Sequence, residues 1–120
     1  MTRLATGEEI AESLKAFCEG YNNNQRLKEM NRDWQRVVLV QATDSQDAFT
    51  LDVAGPELSF RPGAPEHPDL KVVAASDILA DLFWGDLNPT GPYMDGTLKL
   101  FGSEEDIVRL DIISLLIWGS

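Results

Sequence analysis

With 120 residues, 43% of them hydrophobic and 25% charged, the chain is long enough for one domain with a real core and too apolar to be disordered. Its 20 acidic residues outnumber 10 basic ones, for a net charge of -10. No Lys/Arg cluster is present to neutralise phosphates, so nucleic acid is excluded as a partner and docking on anionic lipid by charge alone is disfavoured.

Taken in chain order, the pattern begins with a helix. Thr6 and Glu9 form a capping box, Ile10, Leu14, Phe17 and Tyr21 recur at helical spacing, and Gly20 supplies a stop. After the connector Asn22-Asn23-Asn24, a short helix is expected over 24–33, with Leu27, Met30 and Trp34 on one face. Strands follow. Val37 to Ala42 is β-branched-rich; Phe49, Leu51 and Val53 alternate with polar residues, as do Leu58 and Phe60, Leu70 and Val72, and Leu98 and Leu100. Turn signals separate them at 44–47, at Gly55-Pro56 and over 62–68. Ser76 is expected to cap a helix holding Ile78, Leu79, Leu82 and Phe83 that ends at Gly85, and Ser103 to cap the last helix, whose first turn carries Glu104, Glu105 and Asp106.

Strands buried on both faces read as continuous apolar runs. Four of the five here alternate, so the expected fold is a two-layer α+β domain spanning 1–120 with helices mainly on one face of the sheet.

Several of these residues form a familiar order. Ser76-Asp77, Leu82, Gly85, Leu87-Asn88-Pro89, Gly96-Thr97-Leu98-Lys99-Leu100 and Gly102, with the Phe49–Val53 strand and Pro68-Asp69, resemble the sterol carrier protein 2 family over roughly residues 8 to 118. The resemblance implies a five-stranded mixed sheet and an apolar tunnel between sheet and helices for a fatty acid, fatty acyl-CoA, sterol or similar lipid, without catalysis. Turn chemistry alone gives Gly85, Asn88, Pro89, Gly96 and Gly102 structural roles rather than ligand contacts.

The last helix carries the functional signal. Between Ile107 and Trp118 only Arg109, Asp111 and Ser114 are polar, so apolar side chains point all round its axis. Such a helix needs cover on more than one side, and a sheet covers only one. More core, a bound lipid tail, or a partner surface such as a second copy of the chain would each supply it.

Other chemistry is poorly supported. Cys18 and His67 make a weak nucleophile–base pair, since nothing in the sequence orients either. His67-Pro68-Asp69 matches the tripeptide of J-domain co-chaperones, but it falls between strands rather than between antiparallel helices. Asp44 and Asp47 lack the glycine and distal glutamate of a calcium loop and read as a hairpin turn. No zinc spacing or phosphate loop occurs, so neither metal nor cofactor is expected.

The expected function is non-enzymatic lipid binding and carriage, with Phe49, Leu51, Val53, Phe60, Leu98, Leu100, Ile112, Leu115 and Leu116 lining the cavity. A protein-interaction or homodimerisation module using the apolar last helix is the alternative. One cysteine, no signal-peptide pattern, no run of about 18 apolar residues and no Ser-Lys-Leu ending point to a cytoplasmic protein whose membrane contact is at most transient.

Overall fold

A computed structural model describes residues 7–118. The elements are α1 (Gly7–Asn22), α2 (Gln25–Met30), β1 (Gln35–Ala42), β2 (Ala48–Ala54), β3 (Glu57–Pro62), β4 (Leu70–Ala74), α3 (Ser76–Trp84), α4 (Thr90–Asp95), β5 (Lys99–Phe101) and α5 (Glu104–Trp118). Thr6, half of the expected capping box, lies outside the described residues.

The strands form one sheet in the order β3-β2-β1-β4-β5. β1 and β4 pair in parallel and every other pair is antiparallel, so the sheet is mixed. The parallel pair is pinned where β4 begins: Asp69 N donates to Val37 O at 2.7 Å, and Val37 N donates to the Asp69 carboxylate at 2.8 Å. Register lines up apolar side chains across one face. Phe49, Val40, Val72 and Leu100 form one row, and Phe60, Leu51, Val38 and Leu70 the next. The alternate residues Leu39, Lys71, Lys99 and Phe101 lie on the other face. The strand alternation therefore reports a two-layer α+β domain.

α1 covers the β3 side of the apolar face. Its Tyr21 hydroxyl donates to Gly55 O at 2.7 Å, and the Asn22 side chain exchanges hydrogen bonds with both backbone groups of Leu58 at 2.9 Å. These bonds carry α1 past the stop expected at Gly20. That glycine is needed for a different reason: a Cβ there would strike Ile117, so Gly20 lets α1 and α5 approach closely. Phe17 of α1 meets Phe83 of α3 edge to face, with centroids 5.1 Å apart.

Three other local expectations change. α2 is shorter than residues 24–33; Asn24 caps it by accepting from Leu27 N, and Trp34 lies beyond it. Ser76 is not the cap of α3. Its N–H and hydroxyl both donate to Asp44, at 2.9 and 2.8 Å, so a carboxylate in the β1–β2 turn serves the positive start of the helix. Residues 90–95, which the sequence pattern assigns to no element, form the short helix α4 after the Asn88-Pro89 turn. Gly85, Gly96 and Gly102 take the positive φ expected of them.

α5 is anchored at both ends. Ser103 Oγ accepts from Asp106 N at 3.1 Å, as expected of a cap. Asp106 accepts from Arg36 Nε at 2.9 Å and Trp34 Nε1 at 3.2 Å, and the guanidinium groups of Arg36 and Arg109 both lie against the Trp34 ring. At the other end, Asn24 donates to Leu116 O at 3.3 Å, and Trp118 packs against Gly85.

Burial disfavours the Asp106 carboxylate, but hydrogen bonds from Arg36, Trp34 and Ser103 outweigh it and hold the pKa below the usual aspartate value. Its stabilisation is whole above about pH 4 and fades as the pH falls through that lower folded value. Asp106→Ala should cost about 2–3 kcal/mol at pH 7 and flatten this part of the acid dependence in denaturant titrations. Gly85→Ala combines positive φ with a collision against the Trp118 ring, so it should lower Tm by about 5–10 °C.

Candidate functional site

Where α1 does not reach, the apolar face of the sheet remains partly open. Above β4 and β5 a cavity of about 220 Å³ lies between sheet and helices. Its floor is Val72, Leu98 and Leu100, and its inner wall is Phe17, Leu82 and Phe83. The outer wall is the flank of α5 formed by Ile107, Val108, Leu110, Asp111 and Ser114. Pro89, Thr90 and Tyr93 of the α3–α4 segment line the remaining side. Tyr93 and Val108, each about half exposed, mark its edge toward solvent. The lining is apolar except for a few hydroxyl groups and one carboxylate, the composition of a lipid site.

A smaller cavity of about 150 Å³ shares Pro89, Asp111 and Ser114 with the first and continues past Gly85, Leu87, Asn88 and Leu115 to Trp118. Together their lining residues flank α5 from Ile107 to Trp118, about 17 Å at the helical rise, as a groove. The Trp118 indole Nε1 is buried and has no hydrogen-bond partner among the described residues.

Of the nine residues expected from the sequence, Leu98 and Leu100 line the larger cavity and Leu115 lines the smaller. Phe49, Leu51 and Val53 are buried in the core, with Phe60 packed against it; they share the sheet face with Leu100 but line neither cavity. Leu116 packs on the core, while Ile112 points outward. The turn residues Gly85, Asn88 and Pro89, assigned purely structural roles, also line the groove.

The sequence reading missed the flank of α5 carrying Ile107, Asp111, Ser114 and Trp118, spaced four, three and four residues apart. That spacing marks a single helix face. Its polar members, Asp111 and Ser114, hide it in a pattern of apolar residues. Of the three kinds of cover that the sequence allows for α5, more core does not enclose it. Val108, Ile112 and Leu115 form an exposed stripe at 52%, 39% and 47%. The helix sits at the rim of the layer, where the sheet and α1 cover only its inner side.

The discarded chemistry has a physical account. Cys18 is buried in the core, and burial together with the Glu19 charge pushes its thiol pKa up to about 12, which keeps it protonated and unreactive. Among the described residues, no group of three or more His, Cys, Asp or Glu side chains is placed to hold a metal ion. No described helix is long and apolar enough to cross a membrane.

Comparison with known proteins supports the architecture. The sterol carrier protein domain 2 of Helicoverpa armigera superposes with a TM-score of 0.76 at 15% identity, covering 99% of this chain and 97% of that one. A UbiJ-SCP2 ubiquinone synthesis protein gives 0.72 at 15% identity, covering 90% and 94%. Palmitated SCP2L2 from Aedes aegypti gives 0.61 at 14% identity, covering 89% and 92%. None of the curated proteins matches the chain by sequence. At these identities the superpositions speak to the fold. The family itself is shown by the SCP-2 sterol transfer family model, which matches residues 14–110: the chain belongs to that family.

Proposed function

We propose that the protein is a non-catalytic lipid carrier that holds one long-chain ligand in the groove along α5. The observation that carries this reading is the cavity above β4 and β5, with apolar walls and an open edge, in a member of a sterol transfer family. Relatives of the same fold include a palmitated protein and a ubiquinone synthesis protein, so lipid association has precedent on this scaffold.

Magnitudes support a carrier rather than a permanent store. Each buried methylene contributes about 0.8 kcal/mol, so about a dozen contribute roughly 10 kcal/mol gross. Ordering and immobilisation remove several of these, which leaves affinity near the micromolar range, weak enough for release. The larger cavity alone is below the roughly 300–1,000 Å³ of ordinary ligand sites. A long ligand would therefore use both cavities, its chain in the larger and its head just past the Asp111 seam in the smaller, with Leu98, Leu100 and Leu115 among its contacts. Phe49, Leu51, Val53, Phe60 and Leu116 would back that surface from the adjoining core, and Ile112 would stand at the outer edge.

Val108→Trp tests the site with little disturbance, because Val108 is half exposed at the edge of the larger cavity. The variant should keep Tm within about 2 °C, as surface substitutions do, while weakening binding of fluorescent long-chain lipids about tenfold. Unchanged affinity in the folded variant would remove the groove from the account. The alternative uses the stripe Val108, Ile112 and Leu115 as a subunit contact. Light scattering should give a monomer. A dimer that Leu115→Asp splits without changing lipid affinity would favour that alternative.

A further inference from the structure

The groove is apolar, but the charge around it is not neutral. Asp111 sits at the seam shared by both cavities and is solvent-exposed. No Lys, Arg or His lines either cavity. The nearby cations are directed elsewhere. Lys71 and Lys99 alternate onto the opposite face of the sheet, and Arg109 is held by Asn31 Oδ1 at 3.0 Å and by the Trp34 ring. A ligand carboxylate or phosphate in the groove would therefore find a like charge and no counter-ion. The net charge of -10 adds to that repulsion at long range.

The same seam does offer uncharged polar partners. Ser114 lines both cavities, and Asn88, whose Oδ1 accepts from Thr90 N at 2.9 Å, lines the smaller one. Trp118 lines the smaller cavity as well, but its indole N–H is buried out of reach. Asp111 can itself accept from a hydroxyl but not from a carboxylate.

We propose that Asp111 sets head-group specificity: the groove takes a lipid whose head is an uncharged hydroxyl and disfavours an anionic one. This deepens the lipid-carrier reading and rests on it. A charge about 6 Å from Asp111, at the intermediate effective dielectric of a partly open site, pays a repulsion equivalent to roughly five- to tenfold in affinity. A hydroxyl head pays none, and added salt should narrow the difference.

The test compares hexadecanol with hexadecanoate, which share one chain length, against the full-length protein at neutral pH by competition with a fluorescent lipid. The wild type should bind the alcohol about five- to tenfold more tightly than the acid. Asp111→Asn should bring the two to within about twofold, mainly by improving the acid. Glu57→Gln makes the same change in net charge on β3, at the opposite edge of the sheet, and should leave the ratio unchanged. Matched thermal melts would establish that both variants are folded. Equal affinities in the wild type, or a tighter acid, would overturn the proposal while leaving lipid carriage intact. A shift as large in Glu57→Gln would also overturn it, by making the effect one of overall charge. Failure of both ligands to bind would instead remove the lipid-carrier reading on which it rests.

Discussion

Asp106 accepts hydrogen bonds from Trp34 and Arg36 while both Arg36 and Arg109 lie against the Trp34 ring, and this cluster fixes where α5 begins. Arg36 stands opposite Val53 in the β1–β2 register, which aims it at the helix-bearing face. Ser103 then caps the helix, and α5 leaves the sheet from a fixed point. Asn24 at Leu116 O and Gly85 beneath Trp118 hold its far end. A helix held at both ends cannot collapse onto the sheet to fill the space between. The groove is what remains.

Packing explains the position of that space. α1 covers the β3 side of the apolar face and reaches α5 through the close contact at Gly20. Its Phe17 and the Phe83 of α3 close the inner wall. Beyond them the row Phe49, Val40, Val72, Leu100 runs on to the β5 edge, where the flank of α5 stands across the cavity from its last members with the six-residue α4 beside it. Protein interiors are close-packed, so an apolar space of this size forfeits dispersion contacts. A lipid tail bound there, as proposed, would restore them. The proposed binding free energy and the local loss of packing are thus two descriptions of one feature.

Much of this was legible in the sequence because each signal was local. Alternation gave the strands and their apolar face; Gly85 and Ser103 marked helix ends; the motif order from Ser76 to Gly102 marked the family. The residues that failed depend on distant partners. Gly20 looks like a stop, but it is a contact point for Ile117 nearly a hundred residues later. Ser76 looks like a cap, but the capping oxygen belongs to Asp44. Phe49, Leu51 and Val53 are the clearest apolar strand signal, and they are buried in the core rather than left open. Asp111 and Ser114 were passed over because they are polar, although the sides of a groove are where a mainly apolar helix can carry polar groups. Nothing local to α5 says which flank faces the open part of the sheet.

The central claim is that a lipid chain lies between α5 and the β4–β5 end of the sheet. Isotope-filtered NMR of the labelled protein with unlabelled hexadecanol tests it directly. Methylene protons of the ligand should give contacts to the side chains of Leu98, Leu100 and Ile107, and none to Leu39 on the opposite face of the sheet. Saturable binding with contacts confined to the exposed Ile112 and Leu115, and none to Leu98 or Leu100, would contradict it.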